Sequence, residues 1–245
     1  MNLRHYISQR IKCSLLSLGL LLCVPTFIGA TELVGGIEPK LQEEEVIQAL
    51  KQGGYVIYFR HGATNKTGEK DVEKNDLANC DIQRNLSPEG RAQTKAVGVA
   101  LKRHKIPIGR VYTSPYCRCV DTAVNMFGKA RKSDALHFAI HTSKEQRQEI
   151  TQKLLGMLAT APLDRTNTAI VSHTSNLNNA VKIFPRPEGV AHIFKPEQEG
   201  KFSYIGMVQP KTWMTSKALP TMANTDGDSQ QGWFSSIRQW FTQLF

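Results

Sequence analysis

The chain has 245 residues, 40% of them hydrophobic and 21% charged, with a formal charge of +10. That composition excludes collagen-like, low-complexity and wholly disordered chains. The length suits one domain of roughly 100–200 residues with small appendages. Such a chain buries about 70% of its unfolded surface, so folding does not depend on disulfides.

The first thirty residues form a separate unit. Arg4, Arg10 and Lys12 make a basic head, residues 13–28 are almost wholly apolar, and Gly29 and Ala30 precede the acidic Glu32. This three-part pattern predicts a secretory signal peptide cleaved near Ala30, and hence a periplasmic or secreted protein. Read instead as a membrane span, the run is short and interrupted by Pro25, whereas a span needs about 20 residues. A lipoprotein reading through Cys23 is weakened by the leucine before it. Without residues 1–30 the formal charge is +7. A basic balance favours anionic partners. No nucleic-acid motif is present, and export argues against that partner.

Residues 41–51 read as a helix stopped by Gly53-Gly54, and residues 55–60 (YVIYFR) as a buried strand. A polar loop follows from 62 to 84, and loops this long in compact domains are often functional. Ser87 is the expected N-cap of the next helix, with Pro88 as its first residue and an apolar stripe through Ala96, Val97, Ala100 and Leu101. Then come a strand at 110–113, a helix at 116–127, a strand at 136–140 and a helix at 144–158. A strand at 168–172, a helix at 175–181 and closing strands at 190–194 and 202–208 complete the pattern. Alternating strands and helices predict an α/β fold. Its sheet is mostly parallel and doubly wound, with helices on both faces in three α/β/α layers.

The expected domain occupies residues 31–215. Residues 216–232, rich in Ser, Thr, Asp, Gly and Gln, read as a flexible linker. Residues 233–245 read as an amphipathic helix, with Trp233, Ile237, Trp240, Phe241 and Leu244 on one face. Such a tail suits a membrane surface or a partner's groove, or folding back on the domain. Export permits disulfides. The three cysteines beyond residue 30 leave open a Cys80–Cys117 bridge, a Cys80–Cys119 bridge, or three reduced thiols. No C-x-x-C pair supports a zinc ribbon. His137 and His141 share a face of the expected 136–140 strand, but no third metal ligand is evident.

Three segments place ionisable groups where strands should end: Arg60-His61-Gly62, then Ser114-Pro115-Tyr116-Cys117-Arg118, then Ser172-His173-Thr174. Ligands bind beyond the carboxyl ends of parallel strands. Two arginines and two histidines in one crevice make an anion site, and a guanidinium fork suits phosphate.

These elements together resemble the histidine phosphatase superfamily, with its phosphoglycerate-mutase-like fold, over about residues 41–213. The stretch at 77–91 (LANCDIQRNLSPEGR) is similar to exported bacterial members. Some of those act on phosphorylated heptose in the lipopolysaccharide core. The acid phosphatase and phytase branch is less similar, because Ala63-Thr64-Asn65 and His173-Thr174 depart from its motifs.

The resemblance implies a phosphate monoesterase that uses neither metal nor other cofactor. His61 would be the nucleophile, and Arg60, Arg118 and His173 would hold the phosphate oxygens. Thr64, Asn65 and Thr174 are further substrate-binding candidates. Related mutases use a glutamate some way after the second arginine as general acid; Glu145 and Glu188 are the candidates here, with Glu149 and Asp121 behind them. Arg84, Arg91 and Lys95 read as surface charge. The expected partner is a phosphorylated small molecule or glycan. The alternative is a non-catalytic phosphoglycan- or phospholipid-binding module on the same fold. A mutase fits poorly with export.

Overall fold

The structure, a computed structural model, describes residues 31–66 and 77–216. The expected signal peptide (1–30) and C-terminal helix (233–245) lie outside the described residues, as does the linker beyond Ser216.

The elements in chain order are β1 (Glu32–Val34), α1 (Glu43–Leu50), β2 (Val56–Arg60), α2 (Pro88–Arg103), β3 (Ile108–Thr113) and α3 (Cys117–Phe127). They continue as β4 (Arg131–Lys132), α4 (Lys144–Ala159), β5 (Asn167–Ser172), α5 (Thr174–Val181), β6 (Ala191–Pro196), β7 (Lys201–Val208) and α6 (Pro210–Thr215). The seven strands form one sheet in the order β1-β7-β6-β2-β5-β3-β4. β6 pairs antiparallel with β2 and β7; the other four pairings are parallel. The sheet is therefore mostly parallel, as the alternation of elements predicts.

Period-two alternation in β2 divides the core. Ile57 and Phe59 face a cluster that includes Ile47 of α1, Val97 of α2, Ala123 of α3 and Trp213 of α6. Val56 and Tyr58 face the opposite cluster, with Leu154 of α4 and Leu177 of α5. β2 is apolar on both faces because both are covered, which gives three layers. Ser87 caps α2 as expected, its hydroxyl accepting from Gly90 N at 3.0 Å.

The strand expected at 136–140 is absent. Two 3-10 turns, Asp134–Leu136 and Ala139–His141, stand there instead. Asn176 of α5 satisfies this backbone: its side chain accepts from Ala139 N at 3.3 Å and donates to the His137 carbonyl at 2.8 Å. Backbone groups met by a side chain need no strand ladder. The two-residue β4 ends the sheet before this segment. His137 and His141 therefore share no strand face, and the described residues contain no cluster of three metal ligands.

Of the three disulfide possibilities, the structure has Cys80–Cys117, and Cys119 stays outside the bridge. The bond closes a sequence separation of 37 residues. It ties the loop after β2 to the first turn of α3. Gln83 of the same loop accepts from Cys117 N at 2.9 Å. Closing a loop of this length is worth roughly 2–4 kcal/mol. Cys80→Ser in the full chain is expected to lower the thermal midpoint by roughly 5–15 °C. Calorimetry under non-reducing conditions would measure this, and an unchanged midpoint would show that the bridge does not hold the loop.

Candidate active site

Strands β2, β5 and β3 are adjacent and parallel, and their registers align their carboxyl ends: Arg60 sits opposite Ser172, and Val171 opposite Thr113. The backbone continues this alignment past the strands. His61 N donates to Ser172 O at 3.1 Å and Ser114 N to Val171 O at 2.9 Å. The three segments, 57 and 55 residues apart in sequence, thus meet at one edge of the sheet.

His61 and His173 are almost fully buried, with ring centres 5.7 Å apart. His61 Nδ1 lies 2.9 Å from the Gly62 carbonyl. A carbonyl only accepts, so Nδ1 carries the proton and the Nε2 lone pair is left for another partner. Burial holds the His61 imidazole well below its ordinary value of 6.5, and the charges of Arg118 and Arg60 add to this. The ring is therefore neutral near pH 7.

His173 takes the opposite tautomer. Its Nδ1 accepts from Arg118 Nη2 at 3.3 Å, and its Nε2–H donates to Ser114 Oγ at 2.8 Å. Burial and then Arg118 lower its proton affinity as well. Arg118 is fully buried. Its guanidinium lies 4.9 Å from the centre of the Tyr116 ring and 5.2 Å from that of Phe138. Cation–π attraction of this kind is strongest where water is excluded. The Phe138 and His173 rings are themselves 4.5 Å apart.

The turn that carries His61 is packed from beneath. Gly62 N donates to Thr122 Oγ1 of α3 at 3.0 Å, and Ala63 N to Gln93 Oε1 of α2 at 3.2 Å. Gly90 lets α2 come this close, because a Cβ there would lie 1.9 Å from the Ala63 carbonyl oxygen. Gly90→Ala is expected to cost about 2 kcal/mol through overpacking. That corresponds to a fall of roughly 4–8 °C in the thermal midpoint.

Of the two acid candidates, the structure brings Glu188 to the site and not Glu145. Glu188 Oε1 accepts from Arg60 Nη2 and from the Thr64 hydroxyl, each at 3.0 Å, and Oε2 accepts from Thr64 N at 3.0 Å. Its carboxylate lies 4.0 Å from His61 Nδ1. Glu145 is exposed in the first turn of α4 and does not line the cavity over His61. Hydrogen bonds from its own backbone N–H and from Ser143 hold its carboxyl below the usual range. Glu149 pairs with Lys153 at 2.6 Å and Asp121 with Arg91 at 2.6 Å, both in partly exposed contacts.

That cavity has a volume of about 1010 Å³ and opens above His61, Arg60 and His173. Thr64 and Thr174 line it; Asn65 is exposed and does not. Arg84, read from sequence as surface charge, lines the cavity, and its guanidinium reaches within 4.0 Å of Glu188. It escapes a sequence reading because the loop is fixed by long-range contacts, among them the Cys80–Cys117 bridge and the Arg118 Nη1 contact to the Arg84 carbonyl at 3.4 Å. Gln93 was missed too; its place three residues after Gly90, on the same face of α2, was the available signal.

The family model of the histidine phosphatase superfamily (branch 1) matches residues 56–137, from the first residue of β2 past Arg118. The match supports that superfamily for this chain. No curated protein sequence matches it. Among solved structures, the protein histidine phosphatase SixA complexed with tungstate is similar at 16% identity and a TM-score of 0.47, covering 64% of this chain and 98% of its own. A mutant phosphoserine phosphatase from Entamoeba histolytica, complexed with phosphoserine, is 12% identical at a TM-score of 0.44, covering 64% and 98%. An ecdysone phosphate phosphatase from Bombix mori, complexed with tungstate, is 15% identical at a TM-score of 0.42, covering 74% and 99%.

The buried histidines have a pH consequence. Burial lowers His61 and His173 well below 6.5, and takes His192 of β6 to about 4. Below pH 6.5 the unfolded chain takes up protons that the folded chain refuses, so stability rises with pH across this window. Denaturant unfolding is expected to show stability lost steadily from pH 6.5 down toward pH 4. A flat profile would mean that these imidazoles accept protons in the folded state.

Proposed function

We propose that the protein is an exported phosphatase that hydrolyses a phosphate monoester through a phosphohistidine on His61. The observation that carries this reading is the His61 Nδ1–Gly62 contact. It leaves a neutral Nε2 lone pair on a ring that lines the same cavity as Arg60 and His173, with Arg118 bonded to His173. Nε2 attacks phosphorus as the ester P–O bond breaks, and the leaving oxygen takes a proton. Water then attacks phosphorus, the P–N bond breaks and phosphate departs.

Arg60 and Arg118 bind the non-bridging oxygens and offset the charge of the transition state. His173 is oriented for the same task by Ser114. With two guanidiniums supplying the positive charge, the reading needs no metal. Glu188, the carboxyl that lines the cavity, is assigned the proton for the leaving oxygen; it must be protonated when substrate is bound, giving up its ion pair with Arg60 as Arg60 turns to the phosphate. The similarity of residues 77–91 to exported members supports a phosphorylated glycan, such as a heptose phosphate, as substrate. The signal-peptide pattern and the Cys80–Cys117 bridge support export, since disulfides persist in oxidising compartments. The apolar face of residues 233–245 supports a peripheral contact with a membrane or partner.

The full chain, assayed on an aryl phosphate with excess chelator, is expected to release phosphate. His61→Ala is expected to lower the rate at least about a thousandfold. Quenching in alkaline detergent during turnover should trap an acid-labile, base-stable phosphoenzyme in the wild type only. Binding without turnover on any phosphate ester would instead identify a binding module. Glu188→Gln is expected to slow alkyl phosphates by about 10²–10⁴-fold and aryl phosphates far less, because only the alkoxide needs the proton. Equal losses on both would assign Glu188 to holding Arg60.

A further inference from the structure

The turn that carries His61 and the segment that carries Glu188 come from distant parts of the chain and meet because β2 pairs with β6. Two backbone bonds tie them. Arg60 N donates to Val190 O at 3.0 Å, and Gly189 N to His61 O at 2.9 Å. One side chain reaches both as well. Gln93, half-buried on α2, accepts from Ala63 N through Oε1 at 3.2 Å and donates through Nε2 to the Glu188 carbonyl at 3.3 Å. A backbone N–H only donates and a carbonyl only accepts, so these partners fix which way the amide faces.

The residue type suits the place. A side-chain amide carries an acceptor and a donor on separate atoms of one plane, so it can bridge two backbones; a carboxylate offers acceptors alone. Space for it is cleared by glycine. Gly189 has φ +85°, and a Cβ there would lie 2.7 Å from Gln93 Oε1. Gly90, one turn before Gln93 on the same face of α2, brings the helix up to the turn. Glu188 is thereby gripped twice: its backbone by Gln93, and its carboxylate by Thr64 and Arg60. When Arg60 turns to the phosphate, one of those grips on the carboxylate is released, and the backbone grip remains.

We infer that Gln93 is a positioning residue. It pins the Glu188 backbone to the turn after His61, so that the carboxyl keeps its place for the leaving oxygen once Arg60 has left it. Gln93 does not line the cavity, so it acts through Glu188 and not on substrate. This role rests on the phosphatase reading and on Glu188 as its acid.

The test uses the full chain with two substitutions. Gln93→Met keeps the length of the side chain and removes both hydrogen bonds. Gln93→Glu keeps an acceptor for Ala63 N and removes the donor to the Glu188 carbonyl; it also serves where Gln93→Met does not fold. Each is assayed on glycerol 1-phosphate, whose leaving alkoxide needs the proton, and on 4-nitrophenyl phosphate, whose leaving group does not. Both variants are expected to lower kcat on glycerol 1-phosphate about ten- to a hundredfold, the cost of misplacing a reacting group by about 1 Å. On 4-nitrophenyl phosphate kcat should fall less than about threefold, and KM should stay within about threefold on both esters. Equal losses on the two esters, or wild-type rates on both in Gln93→Glu, would overturn the role. Glu188→Gln runs beside them. If it too loses equally on both esters, or if the wild type turns over neither, the acid reading fails, and backbone hydrogen exchange decides for Gln93. Amides 189 and 190 are expected to exchange at least about tenfold faster in both variants. Exchange at the wild-type rate would then overturn the role.

Discussion

The rest of the structure depends on holding unprotonated imidazoles and a buried guanidinium together at one edge of the sheet. Charge in a dry interior is costly unless it is matched by hydrogen bonds or rings. Here the matching comes from the protein's own framework. The Gly62 carbonyl accepts a hydrogen bond from His61 Nδ1–H, Ser114 and Arg118 bracket His173, and Tyr116 and Phe138 flank Arg118. These partners come from three separate stretches of the chain, at residue 62, residues 114–118 and residue 138. The site is therefore only as good as the parallel pairing of β2, β5 and β3, whose registers put the segments side by side.

The surrounding fold supports that edge from both sides. On one side, α2 closes against the 61–64 turn because Gly90 has no side chain, and Gln93 and Thr122 then hold the turn's backbone. On the other side, the loop before α2 is fastened to α3 by Cys80–Cys117 and by the Gln83 contact. The loop's backbone in turn receives Arg118 through the Arg84 carbonyl. A bridge one residue from Arg118 thus couples loop order to the geometry of the proposed phosphate site.

Much of the fold was legible because periodicity is a local signal. Ser87-Pro88 marked the start of α2 by its capping chemistry, and the run at 55–60 marked a strand covered on both faces. The segment at 136–140 misled because its apolar residues resemble a strand, while its backbone is satisfied by Asn176, 37 and 39 residues away from the two groups it bonds. Nothing within the segment itself reports that partner.

The local chemistry of the chain was enough to nominate Arg60, His61, Arg118 and His173, because each is a reactive or anion-binding residue where a strand ends. Two acids and three cysteines, in contrast, could be narrowed only by folding. Glu188 reaches Arg60 across 128 residues and Glu145 stays in solvent. Cys80 meets Cys117 while Cys119 turns toward His173. Arg84 passed for surface charge until the loop was tied down. The physical reason is common to these cases. Residue type and spacing specify what a side chain can do, but distance in space, and the exclusion of water that comes with it, exists only once the strands have paired.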